Sequence, residues 1–169
     1  MNEQYVEERI KQYSKTRIFY EEFAEQVLNI LKAIVKQDYP DIKIASYSKR
    51  AKEVESLRKK LRKDKYNKES EITDLAGVRI ITYSRKDIPL IASIIEKSFE
   101  VDIENSVDKT RILGNDKVGY RGDHYVVSFC EDRVRMPENK KFEGLKCEIQ
   151  VTSLIAHTWS EITHEKVYK

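Results

Sequence analysis

The chain of 169 residues has few cysteines, prolines and glycines, and it has no long apolar run. Its two cysteines, Cys130 and Cys147, are far apart and belong to no Cys-x-x-Cys pair, which argues against a zinc site. No stretch approaches the roughly 18 apolar residues that a transmembrane helix requires. Residues 1–15 lack the apolar core of a signal peptide. We therefore expect a cytoplasmic protein that does not enter the membrane.

A general excess of one charge is also lacking. Lysine and arginine total 32, and aspartate and glutamate total 29, which gives a net charge of +3. The chain is therefore not the polycation that a histone-like binder would be, and local placement of charge matters more. Hydrophobic residues make up 40% of the sequence and are clustered, so we expect a packed core rather than disorder.

Apolar periodicity divides the chain into helical and strand-like segments. Spacings of three and four predict a long first helix, which the polar stretch 14–16 divides into two pieces and Pro40 ends. The predicted elements are, in order, helix 3–37, strand 42–47, helix 52–63, strand 76–83, helix 87–97, strand 99–103, loop 104–123, strands 124–130 and 145–151, and helix 153–168. This order predicts an α+β fold with a single mixed, mostly antiparallel sheet of about five strands flanked by helices. We expect an N-terminal helical segment, 1–41, and a core, 42–169, within one compact domain.

A basic segment follows the first predicted strand. The segment contains, within fourteen residues, Arg50, Lys52, Ser56, Lys59, Lys60 and Lys63, and at about 100° per residue its lysines and the serine share one helix face. Like charges at this spacing repel unless solvent or an anion compensates them. One interpretation is a solvated charged face. The other is a polyphosphate site, with the lysines as point charges and Arg50 as a planar fork or stacking surface.

Two carboxylates accompany predicted strands. Asp74 and Arg79 bracket the start of the strand that is richest in β-branched residues. Glu148 and Gln150 are two residues apart in the last predicted strand, so both project from the same face. Near a triphosphate a carboxylate would hold Mg²⁺, and Glu148 could also act as a base. A strand cap at Asp74 and an exposed sheet edge at Glu148 are the alternative interpretations.

The long loop 104–123 contains three of the five glycines. Gly119 and Gly122 would let a tight loop approach a ligand, and Tyr120 between them offers a ring for base stacking. Long loops without regular structure are usually functional in compact domains. The loop is therefore a candidate binding segment.

The last helix carries a weaker candidate for a metal site. His157, Glu161 and His164 follow one another at i, i+4 and i+7. With only these three residues and no cysteine, structural histidines are the preferred interpretation.

Taken together, these segments resemble the synthetase domain of the RelA/SpoT family. The similarity covers roughly residues 42–169, and the motifs stand in the family's order. The family pattern Arg-x-Lys-x-x-x-Ser-x-x-x-Lys is met at Arg50, Lys52, Ser56 and Lys60, and the pattern Asp-Leu-x-Gly-x-Arg-Ile at Asp74, Leu75, Gly77, Arg79 and Ile80. The pattern Gly-Tyr-x-x-x-His is met at Gly119, Tyr120 and His124, and Glu-x-Gln at Glu148 and Gln150. The family's closing helix, with His and then Tyr-Lys, is met at His157, His164, Tyr168 and Lys169. Each motif is weak alone, but five in register are specific.

The resemblance implies an enzyme that transfers pyrophosphate from ATP to the 3′-hydroxyl of GDP or GTP, giving ppGpp or pppGpp and AMP. On the ATP side it implies that Arg50 and Arg79 hold the adenine. It also implies that the phosphates are held by Lys52, Ser56, Lys60 and Lys63. Asp74 and Glu148 would be the catalytic carboxylates and the ligands of Mg²⁺, the implied cofactor, with Glu148 the candidate base.

The resemblance also implies an acceptor site. Tyr120 would stack on the acceptor base, Lys117 and His124 would meet its phosphates, and Gln150 its ribose. Charge alone makes the reaction reasonable, because pyrophosphate transfer needs alignment and neutralised phosphate oxygens more than covalent help.

Departures from the family pattern leave other readings open. The family often has an arginine two residues after the Glu-x-Gln strand motif, where this chain has Thr152, and it usually has Ser-Leu where this chain has Gly122-Asp123. One alternative is a toxin-type relative that pyrophosphorylates the 3′ end of tRNA or an adenine nucleotide. Another is a catalytically silent nucleotide- or RNA-binding module. The possible protein partners are a second copy of the chain, an antitoxin, a regulatory domain or the remainder of a longer chain.

Overall fold

The first helix is the longest element of the computed structural model, which describes residues 3–62, 72–107 and 123–167. Helix α1 runs without interruption over Glu3–Asp38, so the predicted break at 14–16 is wrong. Ser14 and Thr16 donate their hydroxyl hydrogens to the carbonyls one turn back, Ser14 to Ile10 at 2.9 Å and Thr16 to Gln12 at 3.3 Å. These residues satisfy their polar groups within the helix and do not end it.

A five-stranded sheet forms the centre of the described structure. Its strands are β1 (Ile44–Ala51), β2 (Ala76–Thr82), β3 (Glu100–Val107), β4 (Asp123–Ser128) and β5 (Cys147–Ser153), in the spatial order β1-β2-β5-β4-β3. The β2–β5 pair is parallel and the other three pairs are antiparallel. The predicted α+β fold with a single mixed, mostly antiparallel sheet is confirmed.

The helices that connect the strands are shorter than α1. They are α2 (Val54–Leu61), α3 (Ile88–Ser98), α4 (Glu131–Val134) and α5 (Leu154–Val167), with 3₁₀ turns at Arg85–Asp87 and Pro137–Phe142. Periodicity did not predict α4 or the 3₁₀ turns, because four to six residues are too few to show a repeat. Helix α2 begins at Val54, so Lys52 lies before the helix rather than on it.

One face of the sheet is covered by helices α1 and α3. Side chains from the middle of α1, including Phe23 and Leu31, pack with Ile91 of α3 and with Val78 and Ile149 of the central strands. These five residues are at most 2% exposed. Burying an aliphatic or aromatic side chain of this size contributes about 1.5–3 kcal/mol, so these side chains stabilise the packing of the helices on the sheet.

A second, smaller core joins the start of α1 to helix α2. It consists of Val6, Ile10 and Tyr13 from α1, Leu57 and Leu61 from α2, and Ile72. The small core ties the first helix to the segment that carries the basic residues.

No helix in the described ranges is long and apolar enough to cross a membrane. Of the two cysteines, Cys147 is fully buried on β5 and Cys130 is half-buried after β4, and neither forms a disulfide. Burial raises the pKa of the Cys147 thiol, which keeps it protonated and unreactive.

Candidate active site

The strand register places the predicted site residues on the sheet face opposite α1 and α3. Arg50 of β1 pairs with Gly77 of β2, and Gly77 pairs with Glu148 of β5. Residues that pair directly across a sheet project to the same face, so one row runs from Arg50 to Glu148 across Gly77. An added Cβ at Gly77 would lie 3.5 Å from the Arg50 Cγ. That distance is an ordinary van der Waals contact, so the Arg50 side chain lies over Gly77 without depending on the absence of a Cβ there.

A second row lies two residues further along. Arg79 of β2 pairs with Gln150 of β5, and Gln150 pairs with His124 of β4. Polar side chains thus follow one another over three neighbouring strands. The prediction that Glu148 and Gln150 share a face holds, and both lie on central strand β5 rather than at a sheet edge.

These side chains form one hydrogen-bonded chain. The Arg79 Nε donates to the Gln150 Oε1 at 3.2 Å, and the Gln150 Nε2 donates to the Glu148 Oε2 at 2.9 Å. The other oxygen of Glu148 lies 3.1 Å from the His124 Nδ1. The network links residues assigned to ATP and to the acceptor, and Glu148 lies in its middle.

The environment of Glu148 keeps its carboxylate ionised. Burial raises the pKa of Glu148 and the negative charge of Asp74 adds to that effect, but the contacts with His124 and Gln150 outweigh both. The net pKa of Glu148 lies below its ordinary value. At neutral pH the side chain is therefore an acceptor, available to a cation or to a proton.

A separate cluster forms around Asp74, in the segment that leads into β2. The Lys52 Nζ lies 2.6 Å from the Asp74 Oδ2, and the Lys60 Nζ lies 3.0 Å from the Asp74 Oδ1. The three side chains are 11–22% exposed. Two ammonium groups thus converge on one carboxylate, although Lys52 comes from the junction before α2 and Lys60 from the helix.

This cluster also has a defined charge state. Burial raises the pKa of Asp74, but the hydrogen bonds and charges of Lys52 and Lys60 outweigh burial and bring the net pKa below its ordinary value. The carboxylate is ionised at neutral pH, and it holds the two lysines where a phosphate oxygen could replace it.

A cavity of about 240 Å³ connects the two groups of residues. It is lined by Ser48, Lys49, Arg50, Asp74, Gly77, Val78, Arg79, Glu148 and Gln150. Both carboxylates and both arginines singled out in the sequence therefore border one space. Ser48 and Lys49 were not predicted; the alternation of β1 places Ser48 on the same face as Arg50 and could have indicated it.

Of the predicted site residues that the structure describes, Lys52, Ser56, Lys60 and His124 do not line this cavity, although Lys52, Lys60 and His124 contact its carboxylates. Ser56 lies on an exposed part of α2, away from the lining residues. Lys63, Lys117 and Tyr120 lie outside the described residues, so their proposed contacts stay predictions. The same holds for the side chain of His164, which leaves the metal spacing on the last helix untested.

The two carboxylates are suitable ligands for Mg²⁺. They line the same cavity and repel each other: the Asp74 charge acts to raise the pKa of Glu148, although this influence is the smallest of those on Glu148 and the net pKa stays below its ordinary value. A hard divalent cation would relieve that repulsion, and it prefers oxygen ligands. Within the described ranges no group of three His, Cys, Asp or Glu side chains forms a metal site. Asp74 and Glu148 are oxygen donors of the kind that Mg²⁺ prefers, so the residues present are compatible with that ion.

Comparison with known families identifies the family of the chain. The model described as "Region found in RelA / SpoT proteins" matches residues 49–169, well over half of the chain. The chain belongs to the RelA/SpoT family.

Individual relatives agree with the RelA/SpoT assignment. The chain is 28% identical over 167 residues to the GTP pyrophosphokinase YwaC of Bacillus subtilis, with 92% of this chain and 75% of YwaC covered. Its fold resembles the crystal structure of small alarmone synthetase 1 from Bacillus subtilis bound to its product pppGpp, with a TM-score of 0.70, 25% identity and coverage of 94% and 80% of the two chains. A GTP pyrophosphokinase family protein from Streptococcus pneumoniae shares the fold, with a TM-score of 0.70, 22% identity and coverage of 93% and 77%.

Proposed function

We propose that this RelA/SpoT-family chain transfers pyrophosphate from ATP to the 3′-hydroxyl of GDP or GTP, giving ppGpp or pppGpp and AMP. The observation that carries the proposal is the cavity bordered by Arg50, Arg79, Asp74 and Glu148. It brings two cations and two carboxylates to one space, beside the two lysines bound to Asp74. The names of the relatives, a GTP pyrophosphokinase and a synthetase with bound pppGpp, favour the same reaction.

In the proposed reaction the acceptor's 3′-oxygen attacks the β-phosphorus of ATP. A new bond forms between that oxygen and the β-phosphorus, and the bond from the β-phosphorus to the α,β-bridging oxygen breaks, so that AMP leaves. The proton of the 3′-hydroxyl passes to the Glu148 carboxylate, which is ionised before the reaction. Alignment and charge neutralisation supply most of the catalysis in such phosphoryl-type transfers.

The ATP end is built from the Asp74 cluster. Lys52 and Lys60 would exchange the carboxylate for phosphate oxygens, and Arg50 and Arg79 would hold the adenine. Asp74 and Glu148 would hold Mg²⁺, which when bound supplies positive charge against the phosphate oxygens. Ser56 and Lys63 would extend the phosphate contacts from α2.

The acceptor end is built from β4, β5 and the loop between β3 and β4. Gln150 would hold the ribose, His124 and Lys117 the phosphates, and Tyr120 the base. The hydrogen bond between Gln150 and Glu148 supports this arrangement, because it sets the proposed ribose ligand beside the proposed base.

The direct test offers each acceptor separately. The protein is incubated with Mg²⁺ and ATP labelled at the γ-phosphate, together with GDP, GTP, ATP or tRNA, and the acceptor that gains label is identified. We expect label on GDP or GTP. Label on tRNA or on an adenine nucleotide would instead establish the toxin-type alternative, and no transfer to any acceptor would favour a silent binding module.

Tyr120 provides a sharper test of the acceptor site. Tyr120→Ala should weaken binding of the acceptor by about 1–3 kcal/mol, because base stacking is lost, and the acceptor's KM should rise accordingly. Tyr120→Phe should change the acceptor's KM little, because the ring is kept. The KM for ATP should stay unchanged in both variants. With tRNA as acceptor a strong salt dependence should accompany the loss, because tRNA makes additional phosphate contacts. Wild-type behaviour of Tyr120→Ala for every acceptor would contradict the assignment of the loop.

A further inference from the structure

The chain between β1 and α2 has two backbone carbonyls, those of Ala51 and Lys52, that accept hydrogen bonds from side chains of helix α1. Strand β1 ends at Ala51 and helix α2 begins at Val54. Glu53, at the N-cap of α2, makes no side-chain capping hydrogen bond. Buried carbonyls outside a ladder or helix need other donors, and here helix α1 supplies them.

Two side chains of α1 donate to this junction. The Tyr13 hydroxyl donates to the Lys52 carbonyl at 2.7 Å. Arg17 donates more weakly, from Nη2 to the Ala51 carbonyl and from Nε to the Lys52 carbonyl, each at 3.4 Å, and its Nη2 also bonds the Glu53 carboxylate at 2.8 Å. Tyr13 therefore makes the shorter contact with the Lys52 backbone.

Tyr13 is well suited to a fixed donor role. The residue is 4% exposed and belongs to the small core of α1 and α2. Burial, the largest influence, raises the pKa of Tyr13 to about 12, so its hydroxyl keeps its proton over the physiological range. Packing holds the ring, and the hydroxyl is left to donate.

The backbone of Lys52 is held from two sides. Its carbonyl accepts from Tyr13, and its N–H donates to the Leu75 carbonyl at 2.9 Å, next to Asp74. The Lys52 ammonium then meets the Asp74 carboxylate at 2.6 Å. Because the backbone is fixed at both groups, the direction of the Lys52 side chain toward Asp74 is set by contacts that include α1.

We infer that Tyr13 is a positioning residue for Lys52, and that α1 thereby sets the phosphate-binding geometry of the ATP site. This inference rests on the proposed function, since it assigns Lys52 to the phosphates of ATP. Tyr13 lies outside residues 49–169, the part of the chain that matches the family. The N-terminal helix thus contributes to the site from a segment that the family match does not include.

The test compares Tyr13→Phe with a matched control. Tyr13→Phe removes only the hydroxyl and keeps the ring in the small core. We expect its affinity for α,β-methylene ATP to fall about tenfold, which is about 1.4 kcal/mol, because the Lys52 ammonium is no longer held in the direction that suits the phosphates. The KM for ATP should rise while the acceptor's KM stays unchanged. Tyr39→Phe, a similar change where Tyr39 packs against the main core, should leave both at wild-type values.

A double-mutant cycle separates positioning from a purely structural role. If Tyr13 acts through Lys52, then Tyr13→Phe should weaken binding of the analogue in the wild-type background and have no further effect in a Lys52→Ala background. Unchanged affinity in Tyr13→Phe, or losses that simply add, would overturn the inference. All affinities are measured well below the melting temperature, so that a shift in thermal stability alone does not alter them.

Different results would refute the proposed function and the inference about Tyr13. Absence of label transfer by the wild-type protein would refute the pyrophosphotransferase assignment, while the binding cycle with the analogue would still report on Tyr13. Normal transfer by the wild type, combined with wild-type analogue affinity in Tyr13→Phe, would refute the positioning role alone.

Discussion

The two halves of the site are held together by different means. The network of Arg79, Gln150, Glu148 and His124 stands on adjacent strands, so the sheet ladder alone fixes the spacing of its members. The Asp74 cluster joins a strand end, a helix and a connecting segment, so tertiary contacts of α1 and α2 determine its geometry. Residues on a ladder keep their places when one neighbour changes, whereas the cluster depends on several weaker contacts.

The substitution with the largest expected effect changes Glu148, the residue at the centre of the hydrogen-bonded network. Glu148→Gln nearly keeps the size and shape of the side chain, but an amide cannot take the proton and is a poor Mg²⁺ ligand. We expect turnover to fall by about 10²-fold or more, with an unchanged circular dichroism spectrum. Turnover above about a tenth of wild type would show that Glu148 is neither base nor metal ligand.

The next effect probes the Asp74 cluster. Lys60→Ala should weaken binding of an ATP analogue by roughly 1–3 kcal/mol, because a charge-assisted contact to phosphate is lost. Lys59→Ala is the matched control, since Lys59 is the adjacent lysine and is exposed on α2. Isothermal titration should show the loss in Lys60→Ala only. Equal affinities in the two variants would favour the solvated-face interpretation of the basic helix.

The smallest effect concerns stability and pH. Because the folded-state pKa of Asp74 is lowered, its ionised form stabilises the fold above the unfolded-state pKa, and this contribution is lost as pH falls through the folded-state value. Asp74→Asn should therefore be less stable than wild type at pH 7, by about 1 kcal/mol, and the two proteins should converge in strong acid. Urea unfolding at both pH values measures the difference. A constant difference across pH would contradict the ion pairs with Lys52 and Lys60.

The ladder half of the site was predictable from the sequence to a large extent. The alternation Glu-x-Gln predicted that Glu148 and Gln150 share a face, and β-branched residues marked strand β2 that carries Arg79. Alternation of polar and apolar residues shows which face of the sheet a side chain lies on, but it does not show which strand is the neighbour. The order of the strands was therefore not predictable from the sequence. The pairing of β2 with β5, on which the network depends, appears only in the fold.

The cluster half was predictable in its residue types but not in its geometry. The density of lysines indicated an anion site, yet helical spacing wrongly placed Lys52 on α2. No local pattern indicated that Tyr13, 39 residues earlier, would donate to the Lys52 carbonyl. Contacts of this kind follow from the packing of two helices, which single-sequence periodicity does not specify. The division of the chain at residue 41 stays a prediction.

The parallel pairing of β2 with β5 has a consequence for the order in which the protein forms. Arg79 and Gln150 are 71 positions apart, and β5 inserts between β2 and β4 in the middle of the sheet. Bringing such distant segments together must await the closure of a long loop, which slows folding. During synthesis the chain up to β4 has no partner for the exposed edge of β2, and it lacks Glu148. On the proposed function, nascent protein therefore stays inactive until β5 has been made, and before that point the unpaired edges of β2 and β4 are where misassociation would begin.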